Sequence, residues 1–321
     1  MQNLKGKVVV ITGASSGTAR AISSELARSG ARLILAARRL EALEEAAKES
    51  RELGADATVF VSDTRNADDM QGLAANAAEV GNGVIDVWIN NAGVLAAGAL
   101  EEVPANVNEA VIRTNLLGYI NGTHAVLPYF KKQGHGILVN NISVGGWFPT
   151  PYMAAYCASK FGLRGFFDSL KGELNQYPQI HVCDLYPGFL DTPGMQHAAN
   201  YTGKNLQPAP PVYDPRKVAN TIFRLLQNPK SKTTIGAASG FLRLAYLFFP
   251  VLSRNITASV IRTYLKNAQP IEVTSGNVLE PVDYGRGIDG GWRGMILKNS
   301  QKKRLMIAAG IMAGLMLLSK K

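Results

Sequence analysis

Cysteine and histidine are both scarce in this chain, with two cysteines and four histidines among 321 residues. Cys157 lies in an apparent helix and Cys183 in an apparent strand, so we expect both to be reduced residues packed in the core. The histidines show none of the spacings that metal ligands require. The sequence therefore predicts neither a disulfide nor a metal site.

An apolar run is missing from the first seven residues, and a predicted strand begins at Val8. We therefore expect no secretory signal and a position on the cytoplasmic side. The apolar fraction of 46% and the charged fraction of 18% are typical of a globular protein with a substantial core. A chain of this length can hold one large α/β domain and an extension.

Acidic residues are few in the last quarter of the chain. Residues 240–321 contain 12 Lys or Arg and 4 Asp or Glu, and so carry +8 of the total net charge of +10. A basic tail suits either nucleic acid or an anionic membrane. Because this tail is also very apolar, we expect a membrane surface and no nucleic acid as its partner.

Short Val- and Ile-rich runs alternate with helical patterns over the first three quarters of the chain. Examples are "VVVIT", "RLILAA" and "GILVNNIS", separated by stretches such as "LEALEEAAKESRELG". Runs that are apolar throughout indicate strands buried on both faces. The alternation of strands with helices indicates parallel strands joined by right-handed crossover helices. The predicted fold class is therefore α/β, with a doubly wound parallel sheet.

The first predicted strand ends in the glycine turn "TGASSGTA". Gly13 ends the strand and Gly17 begins the helix, where free amides and the helix dipole can meet a pyrophosphate. Ala19 takes the third position, which serves helix–strand packing and tolerates alanine. A lone glycine motif is weak evidence of a dinucleotide site, so other parts of the chain must decide.

Three further stretches strengthen the dinucleotide hypothesis. "NNAG" follows the fourth strand, "NIS" ends the fifth strand at Ser143, and "YCASK" spaces Tyr156 and Lys160 four residues apart. Residues at i and i+4 share one face of a helix, so the phenol and the ammonium can point into one site.

With these motifs the chain resembles the short-chain dehydrogenase/reductase family from about residue 4 to residue 236. The resemblance rests on the three motifs above, on "TGASSGTA", on Asn115 in "RTNLLG" and on "PGFLDT". It implies a Rossmann-type sheet of strand order 3-2-1-4-5-6-7 with a C-terminal helical extension. It also implies a homodimer.

The resemblance assigns catalytic roles to Asn115, Ser143, Tyr156 and Lys160. Tyr156 would exchange a proton with the substrate oxygen. The Lys160 ammonium, together with the positive charge of an oxidised nicotinamide, would lower the pKa of the phenol. Ser143 would hydrogen-bond the same oxygen, and Asn115 would hold a water in a relay to Lys160. The implied cofactor-binding residues are Gly13, Ser15, Ser16, Gly17, Thr18, Arg38, Asp63, Asn90, Ala92, Gly93, Tyr156, Lys160, Pro187, Gly188 and Thr192.

The residues after the second strand favour NADP(H) over NAD(H). NAD sites often place an acidic residue there, but the sequence has Ala37 followed by Arg38, which can pair with a 2′-phosphate.

An apolar substrate wall is predicted from Trp147, Phe148, Tyr152 and Met153, with residues 188–215 as a lid. We therefore predict hydride transfer between NADP(H) and a carbonyl or hydroxyl of a lipophilic substrate. The alternatives are an NAD-linked soluble alcohol dehydrogenase and a non-catalytic NADP(H)-sensing scaffold.

The predicted domains are a catalytic domain at 1–238, an apolar and basic extension at 239–300, and a hydrophobic helix at 301–321. The extension is interpreted as a lid, a dimer contact or a membrane-facing surface. The last segment places 14 apolar or small residues, 305–318, between cationic clusters. At 1.5 Å per residue such a helix spans about 21 Å, which favours shallow insertion over a full crossing of a ~30 Å core. We expect the protein on the cytoplasmic face of a membrane.

Overall fold

A parallel sheet of seven strands forms the centre of the protein in a computed structural model that describes residues 4–293. The strands of this sheet are β1 (Val8–Thr12), β2 (Arg32–Ala37), β3 (Asp56–Val61), β4 (Val87–Asn90), β6 (Gly136–Asn141), β7 (Ile180–Pro187) and β9 (Lys232–Ile235). Two short strands, β5 (Ala96–Ala97) and β8 (Ala199–Asn200), pair with each other beside the sheet. The main sheet runs β3-β2-β1-β4-β6-β7-β9, which is order 3-2-1-4-5-6-7 when its own strands are counted. The predicted fold is confirmed.

Helices cover both faces of the sheet. They are α1 (Gly17–Ala27), α2 (Leu40–Glu52), α3 (Ala67–Val80), α4 (Ala105–Ile112), α5 (Gly118–Gln133), α6 (Ala154–Glu173) and α7 (Arg216–Gln227). Alternate residues of β1 enter opposite cores: Val9 and Ile11 pack with α1, α2 and α7, whereas Val8 and Val10 pack with α3, α5 and α6. Successive strand side chains point to opposite faces, so a strand buried on both sides must be apolar throughout.

The chain beyond β9 divides into two parts that contact the domain in different ways. The first is a hairpin, α8 (Ala237–Phe248) followed by α9 (Pro250–Asn267), and α9 has no buried residue. The next residues, 270–293, return to the domain, and we call them the strap. Val278 of the strap is fully buried in a cluster with Val94, Val107 and Val111.

Up to residue 293, the extension predicted at 239–300 thus consists of the hairpin and of the strap, which packs with the domain. Among residues 4–293, no helix is both long and apolar enough to cross a bilayer. The predicted C-terminal helix at 301–321 lies outside the described residues.

Candidate active site

The glycine turn brings two loops of the sheet edge into close contact. Gly13 has φ +69°, and a Cβ there would lie 2.7 Å from the Cα of Ala92, so only glycine fits. Gly17 also has positive φ, +57°, at the start of α1. Ala19 is fully buried in the core, as expected for the packing position of this motif. The third glycine is therefore not needed for the turn.

Thr12, at the end of β1, joins this turn to the loop after β4. Its hydroxyl donates to the carbonyl of Ile89 and accepts from the amides of Asn91 and Ala92. These bonds fix the two strand ends on which a cofactor would lie.

A cleft of about 370 Å³ opens at this carboxyl edge, within the usual size range of small-molecule sites. Apart from Tyr156 and Lys160, the predicted cofactor residues number thirteen and lie at five strand ends, and the fold brings all of them except Asn90 to the cleft. With the catalytic residues that join them, the predicted residues lining it are Gly13, Ser15, Ser16, Gly17, Thr18, Arg38, Asp63, Ala92, Gly93, Ser143, Tyr156, Lys160, Pro187, Gly188 and Thr192.

Asn90 does not line the cleft, although it was predicted to contact the cofactor. Its side chain is buried, accepts a hydrogen bond from the Trp88 indole and donates to Thr123 and Asn140. Successive side chains along a strand point to opposite sides, so Asn90 is buried in the core while its neighbour Asn91 lines the cleft. The sequence motif "NNAG" did not distinguish these two asparagines.

Asn115 lies in a π-helical turn, Arg113–Leu117, between α4 and α5. Its amide oxygen accepts from the Val94 amide at 2.8 Å, and its amide nitrogen donates to the Val94 carbonyl at 2.9 Å and to Ser159 at 3.3 Å. The side chain thus fixes the loop after β4 and is not itself part of the cleft lining. The water relay through Asn115 stays a prediction.

Ser143 and Tyr156 meet at the inner end of the cleft. Ser143 follows β6 with φ +117°, a conformation that is strained for serine and that often occurs at functional sites. Its hydroxyl accepts from the Gly145 amide, next to the Tyr156 ring. A Cβ on Gly145 would lie 3.0 Å from the Tyr156 ring, so the absence of a side chain there leaves room for the phenol.

Burial governs the protonation of Tyr156 and Lys160. It raises the pKa of Tyr156 to about 12, and the Ser143 hydrogen bond offsets only part of this shift. It lowers the pKa of Lys160 to about 7. Removal from water disfavours the charged form of each group. That the Lys160 ammonium, together with the positive charge of an oxidised nicotinamide, lowers the pKa of the phenol stays a prediction. At neutral pH the phenol holds its proton.

Arg38 lies at the other end of the cleft. Its guanidinium donates to the main-chain carbonyls of Asn277 at 2.7 Å and Leu279 at 3.4 Å. Burial lowers its pKa from the usual value for arginine. Asp63 lies near Arg38 but is paired with Arg65 at 2.5 Å, and the Arg65 hydrogen bonds hold the pKa of this carboxyl low against the effect of burial.

The strap supplies cleft residues that the sequence analysis missed. Asn277, Pro281, Val282, Tyr284, Gly285 and Arg286 all line the cleft. The glycine-rich stretch "PVDYGRGIDGGWRG" marked a loop, but nothing in its pattern indicated where the loop lies.

The predicted substrate wall is only partly present. Met153 lines the cleft, together with other apolar residues such as Val94, Leu95 and Phe189. Trp147 instead packs between the Arg164 and Arg243 guanidiniums, 4.4 and 4.2 Å from its ring.

Phe148 is likewise buried away from the cleft, with its ring against Tyr246 of α8. These two aromatic residues attach the hairpin to the domain.

Cys157 and Cys183 are free and buried, as expected. Among the described residues 4–293, no group of three or more His, Cys, Asp or Glu side chains could hold a metal ion.

The fold and site define a class: a Rossmann-type α/β protein whose Ser, Tyr and Lys share a cleft with a glycine turn. A family profile described as short chain dehydrogenase matches residues 7–202, more than half of the chain. The chain belongs to this family of oxidoreductases, which act on CH–OH and C=O groups.

Three known proteins illustrate the range of similarity. An uncharacterized oxidoreductase of Bacillus subtilis, YxnA, is 31% identical over 98% of this chain and 90% of its own length. Human estradiol 17-beta-dehydrogenase 11 is 30% identical over 80% of this chain and 85% of its own. A variant of the actinorhodin polyketide ketoreductase, solved with NADPH, superposes with a TM-score of 0.67 at 28% identity. That match covers 75% of this chain and 99% of the ketoreductase.

Proposed function

We propose that this protein is an NADP(H)-dependent oxidoreductase that reduces a lipophilic carbonyl, or oxidises the corresponding alcohol, with Tyr156 as acid and base. The observation that carries this proposal is the meeting of Ser143, Tyr156 and Lys160 at the end of one cleft whose other end holds Arg38. A binding scaffold without turnover would have no use for the first three.

The protonation states support the reductive direction. A phenol with its pKa raised to about 12 keeps the proton that a developing alkoxide requires. The Ser143 hydroxyl lies beside it and can donate to the same oxygen as charge develops. Lys160, with its pKa lowered to about 7, can return a proton near neutral pH. A reduced nicotinamide, when bound, supplies the hydride.

The preference for NADP(H) rests on the end of β2. Ala37 offers no carboxylate to a ribose hydroxyl, and the Arg38 guanidinium has donors left after its two bonds to the strap carbonyls. The structurally similar ketoreductase was solved with NADPH, in agreement with this preference.

The lipophilic substrate is inferred from the cleft lining. The cleft that contains Tyr156 is also lined by Val94, Leu95, Met153, Phe189 and Met195. A site lined by such side chains favours an apolar ligand with one polar group held by Ser143 and Tyr156. The human relative bears the name of a steroid dehydrogenase, which fits a bulky apolar alcohol or ketone.

The hairpin supports attachment to a membrane surface. Phe241, Leu247, Phe248 and Val260 of the hairpin are each more than 60% exposed, and exposed apolar side chains that are so numerous mark an interaction surface. The hairpin residues 237–267 contain four Arg or Lys and no Asp or Glu. An apolar surface with cationic residues fits an anionic bilayer, where the cations meet headgroups. A homodimer contact is the alternative use of this surface.

The experiment that tests the proposed activity is turnover of a panel of bulky apolar ketones and small polar ketones with NADPH and with NADH. We expect the bulky ketones to be reduced, and NADPH to give the higher kcat/KM. Equal rates with the two cofactors would favour the NAD-linked alternative. Binding of NADPH without turnover of any ketone or alcohol would favour the scaffold.

A further inference from the structure

The strap follows the cofactor cleft from its adenosine end to the glycine turn, and it lies outside the region matched by the family profile. At one end the carbonyl of Asn277 accepts from Arg38. At the other end the carbonyl of Gly287 accepts from the amide of Gly17 at 2.9 Å. The strap therefore forms an outer wall of the cleft.

The part of the strap from Tyr284 to Arg293 is held at both of its ends. His197 contacts the carbonyl of Tyr284 through Nε2 at 2.9 Å. Beyond the glycine turn, Arg293 donates to Asp191 at 2.8 Å and to Asp214 at 2.6 Å, which joins the strap to the predicted substrate lid. These contacts fix the segment between them in position over the cleft.

Arg286 lies within this fixed segment and its side chain lines the cleft. Its main-chain carbonyl accepts from the Arg20 guanidinium at 2.6 Å, which holds the residue beside the first turn of α1. One terminal nitrogen donates to Glu45 at 2.5 Å. The Nε nitrogen is buried and has no hydrogen-bond partner among residues 4–293. A buried guanidinium N–H without an acceptor is costly, so the position suits a ligand that brings anionic oxygens.

The surroundings of Arg286 favour phosphate as that ligand. The first-turn amide of Thr18 has no partner within the helix itself and lines the same cleft. The N-terminus of α1 attracts anions, and Arg38 adds a second positive charge along the cleft. An arginine placed between them can bond phosphate oxygens through two nitrogens.

We propose that Arg286 is a second phosphate-binding residue of the cofactor site, supplied by the strap. This inference rests on the proposed function, because it takes NADP(H) as the occupant of the cleft. The pyrophosphate and the adenosine 2′-phosphate present the same chemistry to a guanidinium. NADH carries only the first of these groups and therefore distinguishes them.

The test is titration of the purified full-length protein with NADPH and with NADH, in the parent and in four variants. Arg286→Ala removes the proposed ligand, and Arg286→Lys keeps its charge without the planar fork. Arg38→Ala removes the predicted 2′-phosphate ligand. Arg254→Ala, on the exposed helix α9, is the matched control. Thermal unfolding of each variant shows whether the fold is retained.

We expect Arg286→Ala to weaken NADPH binding by roughly tenfold or more, the usual loss for a charge-assisted phosphate contact, with Arg286→Lys in between. An equal loss for NADH would assign Arg286 to the pyrophosphate. A loss for NADPH alone, as expected for Arg38→Ala, would assign it to the 2′-phosphate. Unchanged Arg286→Ala affinity, with a parent that binds NADPH, would overturn this inference and leave the proposed function standing.

Two other outcomes also overturn the inference. Tighter binding by Arg286→Ala would mean that the strap obstructs the cleft instead of completing it. A parent protein that binds neither NADPH nor NADH would refute the proposed function together with the role of Arg286.

Discussion

Helices α6 and α9 have similar lengths, 20 and 18 residues, but they are used in opposite ways. In α6 the residues Cys157, Lys160, Leu163, Phe167 and Leu170 form a buried stripe at intervals of three and four. In α9 the apolar residues are present but none is buried. The comparison shows that apolar content alone does not place a helix in a core, because a facing surface is also required.

The largest expected effect is the loss of turnover on substitution of Tyr156 in α6. Tyr156→Phe on α6 removes only the phenol oxygen, so we expect turnover to fall by about 10² to 10⁴, the usual contribution of a general acid. NADPH affinity should change little, because the ring remains. Steady-state kinetics with a ketone identified for the parent protein measure the first effect, and NADPH titration measures the second. Retention of most of the rate would refute the assignment of Tyr156.

Shortening one apolar side chain in each helix should change the free energy of unfolding by very different amounts. Leu163→Ala on α6 removes a fully buried side chain and should lower the free energy of unfolding by about 2–5 kcal/mol. Val260→Ala on α9, where the side chain is 62% exposed, should change it by less than about 0.5 kcal/mol. Urea unfolding of the two variants beside the parent measures both values. A large loss for Val260→Ala would indicate that α9 is covered in solution, as in a homodimer.

The buried Lys160 predicts a dependence of stability on pH. Its pKa is about 7 in the folded protein and 10.5 in the unfolded chain, so between these values the unfolded state binds more protons. Stability gained from this group therefore rises with pH from about 7 to about 10.5, by at most ~1.4 kcal/mol per pH unit.

Lys160→Met should remove this slope, which is measured as the difference between parent and variant in urea unfolding at pH 7, 8 and 9. An exposed cation, as in Lys266→Met on α9, is the control and should leave the slope unchanged. If the parent and Lys160→Met have parallel pH profiles, the ammonium is not desolvated by the fold.

The smallest effect expected from a single side chain is on membrane association. This measurement tests directly whether the exposed α9 contacts a membrane, in contrast to the buried α6. We expect the full-length protein to float with anionic liposomes, because the exposed hairpin and the cationic residues can both contact the surface. Replacing Leu247 and Val260 together by Ser should reduce flotation, and removing residues 301–321 should reduce it further. NADPH binding should persist in both variants. A full-length protein that stays in the soluble fraction would argue against a membrane partner and for a homodimer contact.

The sequence by itself determined the parallel strands of the sheet and, through the family resemblance, their order and the candidate catalytic residues. The strand runs are apolar throughout because both faces of the sheet are buried, and this local signal survives in any context. Gly13 and Gly17 are required by positive φ, and "YCASK" fixes the geometry of Tyr156 and Lys160 through the helix period. Such features depend on neighbours in sequence, so a reader of the sequence can find them.

Only the tertiary structure decided the remaining points, because each depends on which distant surfaces meet. Asn91 lines the cleft, whereas Asn90 is buried in the core, because successive side chains at the end of β4 point to opposite sides. The pKa of Tyr156 rises because burial outweighs its polar neighbours. The hairpin and the strap are adjacent in sequence, yet the hairpin is exposed while the strap lies against Arg38 and Gly17, some 240 to 270 residues earlier. Contacts of such long range leave no periodic signal in the sequence, so the outer wall that the strap adds to the cleft became visible only in the folded chain.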